Sequence, residues 1–165
     1  MSAVRGLSLQ HAAPAPQRAA HYLYAGAVLA TATPTAVTTV LGSCVAVCLW
    51  DARLGVGGLN HYMLPFAPAG EAPSARYGDA ALPELVTRLA ALGSAPAHLQ
   101  AHVVGGAHVM QELEHARHLG ADNVQLALRF LAALNIPVAS RETGGTRGRQ
   151  LLFHTDDGAA RVRAF

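Results

Sequence analysis

Along the chain, short apolar runs alternate with two longer stretches of helical period. The run at 45–50, Val-Ala-Val-Cys-Leu-Trp, is unbroken and ends at Asp51. It is too short for a stable helix and rich in β-formers, so it reads as a buried strand. Residues 51–55, Asp-Ala-Arg-Leu-Gly, then read as a hairpin connection, and 56–63 as the returning strand. Upstream, 21–30 alternates loosely and predicts an edge strand, 31–35 with Pro34 a turn, and 36–41 a strand. Downstream, 66–76 carries Pro68 and Pro73 and predicts an irregular loop. In 77–92, Leu82, Leu85, Val86, Leu89 and Leu92 recur at helical spacing before Gly93, which predicts a helix. Residues 98–105 predict a strand turned by Gly105-Gly106. Residues 120–134, with Val124, Leu128, Leu131 and Leu134 on one stripe, predict a second helix. Strands follow at 136–141, 150–153 and 160–165. This interleaving implies a mixed α/β class, with helices packed on a largely antiparallel sheet. The first twenty residues contain Pro14 and Pro16 and little periodicity, so 1–20 is expected to be a disordered tail and 21–165 one domain.

Composition narrows the function classes. A chain of 165 residues makes one domain with a real core. Apolar residues make up 52%, yet no run approaches the roughly 20 needed to span a bilayer, so membrane insertion is not expected. Two cysteines without a signal-peptide pattern point to a reducing cytoplasm. The net charge of +2 is slight, and every basic residue is arginine. Arg141, Arg147, Arg149, Arg161 and Arg163 gather toward the C-terminus, where they would steer an acidic partner or line a solvated sheet edge. Nothing matches a nucleic-acid-binding motif. Of nine histidines, five fall between His98 and His118. His98 and His102 on one strand stand too far apart to share an ion, and no cysteine or carboxylate pattern accompanies them. Neither a metal nor another cofactor is expected.

The candidate chemistry lies at the ends of the predicted hairpin. Cys44 follows a Gly42-Ser43 step, and His61 ends the returning strand. In an antiparallel pair the start of one strand lies beside the end of the next, so thiol and imidazole would meet across backbones roughly 5 Å apart. A free thiol, with a pKa near ~8.5, is sparsely ionised at neutral pH, and a neighbouring imidazole raises its nucleophilicity by taking the proton. Gly42 lets the backbone approach a substrate, and the Cys44 N–H is placed to face a developing oxyanion. Gly42, Ser43 and Asn60, which flank the pair, are the candidate substrate-binding residues. Thr38, Thr39 and Ser43 are the local hydroxyls able to orient the histidine. Cys48 lies mid-strand, about 13 Å along the chain from Cys44, beyond the ~7 Å reach of a disulfide, and reads as core. The alternatives are an interaction module whose Cys44 is merely packed, and a cysteine hydrolase of another kind, such as a peptidase or an esterase.

These blocks resemble the CheD family, the chemoreceptor glutamine deamidases of chemotaxis. The resemblance is carried by Leu41-Gly42-Ser43-Cys44-Val45-Ala46-Val47 and Gly57-Gly58-Leu59-Asn60-His61-Tyr62-Met63-Leu64-Pro65. Weaker matches follow at Tyr77 with Asp79, Val104-Gly105-Gly106-Ala107, Gly120 with Asn123, Thr143-Gly144-Gly145, and Gly148-Arg149. Gln150 stands where many relatives have lysine. The resemblance implies a layered α/β/α fold and Cys44 as nucleophile. It implies His61 as base and Thr38, six residues before the cysteine, as the third member. It also implies receptor glutamines as substrate and a CheC-type phosphatase as a second partner.

Overall fold

The computed structural model describes residues 13–110, 113–116 and 118–165. Among the described residues nine strands run in chain order: β1 Ala19–Tyr22, β2 Val28–Thr31, β3 Thr35–Leu41, β4 Val45–Asp51, β5 Val56–Asn60, β6 Gln100–Gly105, β7 Val138–Thr143, β8 Arg149–His154 and β9 Ala160–Ala164. Helix α1 spans Gly78–Ala91 and α2 spans Leu119–Ala133. The class is mixed α/β, as the interleaved pattern implied.

The layering differs from the expectation. The strands form two sheets, one ordered β1-β3-β8-β9 and the other β2-β5-β4-β6-β7. Pairing is antiparallel except for β1 with β3 and β6 with β7. Strand β4 shows how the layers stack. Its Val45, Val47 and Leu49 pack on Leu82, Leu85 and Leu89 of α1 and Val124, Ala127 and Leu131 of α2. Its Ala46, Cys48 and Trp50 pack on Val37, Leu41, Leu151 and Phe153 of the four-stranded sheet. Both helices therefore cover one face, and the layers run helices, five-stranded sheet, four-stranded sheet, rather than α/β/α. A strand apolar on both faces must be buried on both, which is why β4 shows no alternation.

Two boundaries also move. The stretch 21–30 is divided between the sheets, with β1 and β2 separated by a turn at Gly26. Strand β1 starts at Ala19, inside the expected tail, and Arg18 just before it makes a bidentate ion pair with Asp156 at 2.6 and 2.9 Å. Residues 1–12 lie outside the described residues.

The β4–β5 hairpin forms as the sequence pattern predicts, with Cys48 opposite Leu59 and Asp51 opposite Val56. Buried Asp51 closes it, accepting the N–H groups of Arg53 and Leu54 and the Ser94 hydroxyl at 2.7 Å. Beyond Leu59 the ladder is mended by a side chain. Asn60, fully buried, accepts the Val47 N–H on Oδ1 at 2.9 Å and donates from Nδ2 to the Ala81 carbonyl of α1 at 3.3 Å. Both ends of its amide are thus spent on structure, toward the helix layer. Asn60, expected beside the substrate, is thus buried away from the surface in this structure. Replacing it leaves the buried Val47 N–H unpaired and takes from the Ala81 carbonyl the partner it has outside its own helix. Asn60→Leu is expected to cost about 3 kcal/mol, read as a lower urea midpoint at unchanged m-value.

Candidate active site

The hairpin register places the two reactive residues. Val45 and Tyr62 form the last rung, exchanging main-chain hydrogen bonds at 3.1 and 3.0 Å. Carried along the ladder, this register sets His61 opposite Ala46 and Cys44 opposite Met63. Cys44 and His61 are therefore diagonal neighbours rather than a facing pair, at a separation side chains can bridge. They share a face because Cys44 is in phase with Ala46 and Cys48, and His61 with Leu59, which line the space between the sheets.

Cys44 is half-buried, and its sulfur packs against the edge of that inter-sheet core. Its carbonyl accepts the Gly106 N–H at 2.8 Å, and the Gly42 carbonyl accepts the Ala107 N–H at 2.8 Å. The first contact requires glycine at 105: its φ is +112°, and a Cβ there would lie 2.2 Å from the Cys44 oxygen. Among the described residues no main-chain carbonyl takes up the Cys44 N–H, which leaves this donor for an incoming oxygen.

His61 is buried, at 4% exposure. Its Nδ1 lies 2.8 Å from the Thr39 hydroxyl oxygen, and that hydroxyl lies 2.7 Å from the Leu23 carbonyl. A carbonyl only accepts, so Thr39 donates to Leu23. Its oxygen must then accept from His61, which puts the proton on Nδ1. Nε2 is left with a free lone pair, and it is buried with no hydrogen-bond partner among the described residues, Cys44 included. An unpartnered buried acceptor on the cysteine's face is chemically able to take a proton.

Thr38, the third member that the family resemblance implied, makes no hydrogen bond to His61 in this structure; its neighbour Thr39 does. On β3 the inward phase is Thr35, Val37, Thr39 and Leu41. Thr38 points the other way and pairs with Leu152 on the outer face, lining a groove of about 340 Å³ with Gln150, Arg161 and Arg163. The alternation of Val37 and Leu41 carried this signal. The Leu23 carbonyl, one link further, had none in the sequence.

Electrostatics leave the resting pair uncharged. Burial pushes the Cys44 thiol above its ordinary value, with a smaller downward pull from its own N–H. Burial also pushes His61 down to about 4, against a smaller upward pull from the Leu23 carbonyl. Cys48 is fully buried and its thiol is pushed far up by desolvation, as expected of a core residue. The arrangement thus supports general-base activation at the moment of attack, rather than a standing thiolate–imidazolium pair.

Ser43 lines a small cavity of about 50 Å³ with Ala107, His108, Val109 and Met110. Gly42 sits under the Val109 side chain. The positions flanking Cys44 are thus at a surface a ligand can approach, unlike Asn60.

Comparison with known proteins bears on the family of the chain. A family model described as CheD chemotactic sensory transduction matches residues 63–164. The chain is 49% identical to a protein of Anaeromyxobacter dehalogenans named "Probable chemoreceptor glutamine deamidase CheD 1", over 99% of each chain. It is 43% identical to a protein of Rhodospirillum rubrum named "Probable chemoreceptor glutamine deamidase CheD", over 86% of this chain and 80% of the relative. A like-named protein of Trichlorobacter lovleyi is 39% identical over 84% and 86%. No helix among the described residues is long and apolar enough to cross a membrane. With likeness of this extent along nearly its whole length, the chain belongs to the CheD family.

Proposed function

We propose that this protein is a chemoreceptor glutamine deamidase, hydrolysing glutamine side chains of receptor cytoplasmic helices to glutamate with Cys44 as nucleophile. One observation carries the chemistry: Thr39 and Leu23 commit the His61 proton to Nδ1, leaving the Nε2 lone pair on the face it shares with Cys44. The substrate is that named for the relatives.

In this mechanism Cys44 Sγ attacks the carboxamide carbon while its proton passes to His61 Nε2. The carbonyl π pair moves onto oxygen, where the Cys44 N–H receives it. Collapse breaks the C–N bond, and His61 returns the proton to the departing nitrogen, giving ammonia and a thioester. A water then attacks, losing a proton to His61. The C–S bond breaks, and the carboxylic acid and the restored thiol are released. A neutral pair suits this sequence, because the base must accept a proton and hand it on within one turnover. The protein works in the cytoplasm, where the receptor helices lie. A CheC-type phosphatase as second partner follows from the family resemblance.

Incubation with a receptor cytoplasmic fragment tests the reaction, with peptide mass spectrometry to separate deamidation, a gain of about one dalton at glutamine, from loss of a methyl ester or backbone cleavage. Cys44→Ala is expected to lower ammonia release at least about a thousand-fold, and Cys48→Ala to leave it within about threefold. Survival of activity in Cys44→Ala removes the nucleophile.

The third member has its own test. Thr39→Val is expected to lower kcat roughly 100-fold, the low end of what an oriented general base supplies, and Thr38→Val to change it less than about twofold. The reverse order would restore Thr38.

The buried neutral imidazole also sets an acid limit. Unfolded His61 titrates near 6.5 and folded His61 at about 4, so the unfolded chain binds more protons between these values. Its contribution is full above pH 6.5 and is lost as pH falls through 4, by roughly 3 kcal/mol in all. Urea unfolding at pH 7 and pH 4.5 should show this loss in wild type and a smaller one in His61→Gln.

A further inference from the structure

The Cys–His pair sits just past the last rung of the ladder, where main-chain bonds between the two segments cease. Beyond Val45–Tyr62 nothing in the hairpin itself fixes Ser43 and Cys44 relative to Met63. A third element supplies the missing tie. Asn123, on the second turn of α2 and fully buried, donates from one nitrogen to two carbonyls, Ser43 at 3.0 Å and Met63 at 2.9 Å. Its two N–H groups thus stand in for a further rung, spanning the nucleophile's segment and the histidine's.

The choice of carbonyl matters. Ser43 C=O and Cys44 N–H belong to one planar trans peptide and point in opposite directions. Holding the Ser43 oxygen against α2 therefore aims the Cys44 N–H away from it, toward the side from which an oxyanion would be received. The same contact fixes where the Cys44 side chain leaves the backbone.

The surroundings are built to bring this side chain close. A Cβ on Gly106 would lie 2.3 Å from Val124 Cγ2, and one on Gly120 would lie 2.4 Å from the Gly106 oxygen, so α2 rests directly on the turn that holds Cys44. Tyr62, next to His61, donates its hydroxyl to the Asn123 carbonyl at 2.5 Å. Asn123 Oδ1, by contrast, is buried without a partner among the described residues. A buried acceptor left unsatisfied costs stability, which a residue kept for packing alone would avoid. Aspartate has no donors at neutral pH, and leucine has none at all. Only an amide of this length offers two from one atom.

We propose that Asn123 is a positioning residue that holds Cys44 and its N–H in register with His61. This rests on the Cys44–His61 reading above, and it assigns to α2 a part in the chemistry that neither the hairpin nor the opposing sheet performs.

Two measurements test it, both with Asn123→Leu and, in parallel, Asn123→Ala, so that failure of one variant to fold does not end the test. In the first, deamidation of a receptor cytoplasmic fragment is followed beside Asp51→Asn, a buried change at the far end of the same hairpin. The Asn123 variants are expected to lose at least tenfold in kcat with KM within twofold, while Asp51→Asn loses stability and keeps kcat. Unchanged kcat, or a loss confined to KM, overturns the proposal.

In the second, Cys44 alkylation by iodoacetamide at pH 7.5 is assigned by peptide mass spectrometry in wild type, His61→Gln, the Asn123 variant and the double variant. If Asn123 acts by holding the thiol against its base, each single change slows alkylation severalfold and the double is no slower than the slower single. Multiplying effects would mean that Asn123 acts independently of His61, and would overturn the proposal. Wild type that alkylates cooperatively in this way but releases no ammonia from receptor would sink the deamidase reading while leaving Asn123 in place.

Discussion

A single hydrogen bond between the two sheets organises the site. His61 belongs to the hairpin of the five-stranded sheet and Thr39 to β3 of the four-stranded sheet, and they meet at 2.8 Å in the space between. The histidine's useful lone pair exists only because this contact fixes the proton on the other nitrogen. The contact in turn exists only because the sheets pack face to face through Val37, Leu41, Ala46, Cys48, Leu151 and Phe153. Burial that drives the sheets together also removes water from the imidazole. Packing, tautomer and depressed basicity therefore follow from one event, the closing of an apolar interface over a polar pair.

The neutral resting state has a chemical consequence. A thiolate held permanently beside an imidazolium would be open to oxidation and to any electrophile that reached it. Here burial raises the thiol and lowers the imidazole, and both effects disfavour charge separation. In the proposed mechanism the proton moves only when a carbonyl carbon is in place to accept the sulfur and an N–H is in place to donate to the oxygen. On that mechanism, selectivity for a fitted carboxamide is built into the protonation state.

Local pattern made the hairpin legible. A fully apolar six-residue run, a turn closed by Asp51 and a returning segment with Gly57-Gly58 leave little other option, and the pairing of Cys48 with Leu59 is what that pattern implies. Both helices were legible to within about two residues from leucine spacing. What the pattern could not give was how many sheets these strands form. Strands 36–41 and 45–50 are neighbours in sequence and separated by three residues, yet they lie in different sheets, because Gly42 to Cys44 cross from one layer to the other. That crossing also explains the displaced threonine. Adjacent threonines on a strand face opposite ways, and only the identity of the covered face decides which one meets the histidine. Asn60 lies toward the helix layer for a related reason: adjacent residues on a strand point to opposite faces, so it points away from His61.

Two asparagine amides do comparable work on either side of the final rung, with opposite groups. Asn60 offers an acceptor to Val47 N–H and ties the hairpin down to α1. Asn123 offers donors to Ser43 and Met63 and ties the open end across to α2. Each replaces a main-chain bond that the hairpin gives up where it splays to make room for thiol and imidazole. The strands must part there, since a continued ladder would fill the space with backbone and occupy the Cys44 N–H. Parting them frees the reactive groups and also frees them to wander, and side chains from the helix layer restore the lost constraint without refilling the space. On this view the helix layer is part of the site, although among the described residues no helical residue hydrogen-bonds to the imidazole. Loosening α2 from the Gly105-Gly106 turn would then slow the chemistry before it unfolded the protein.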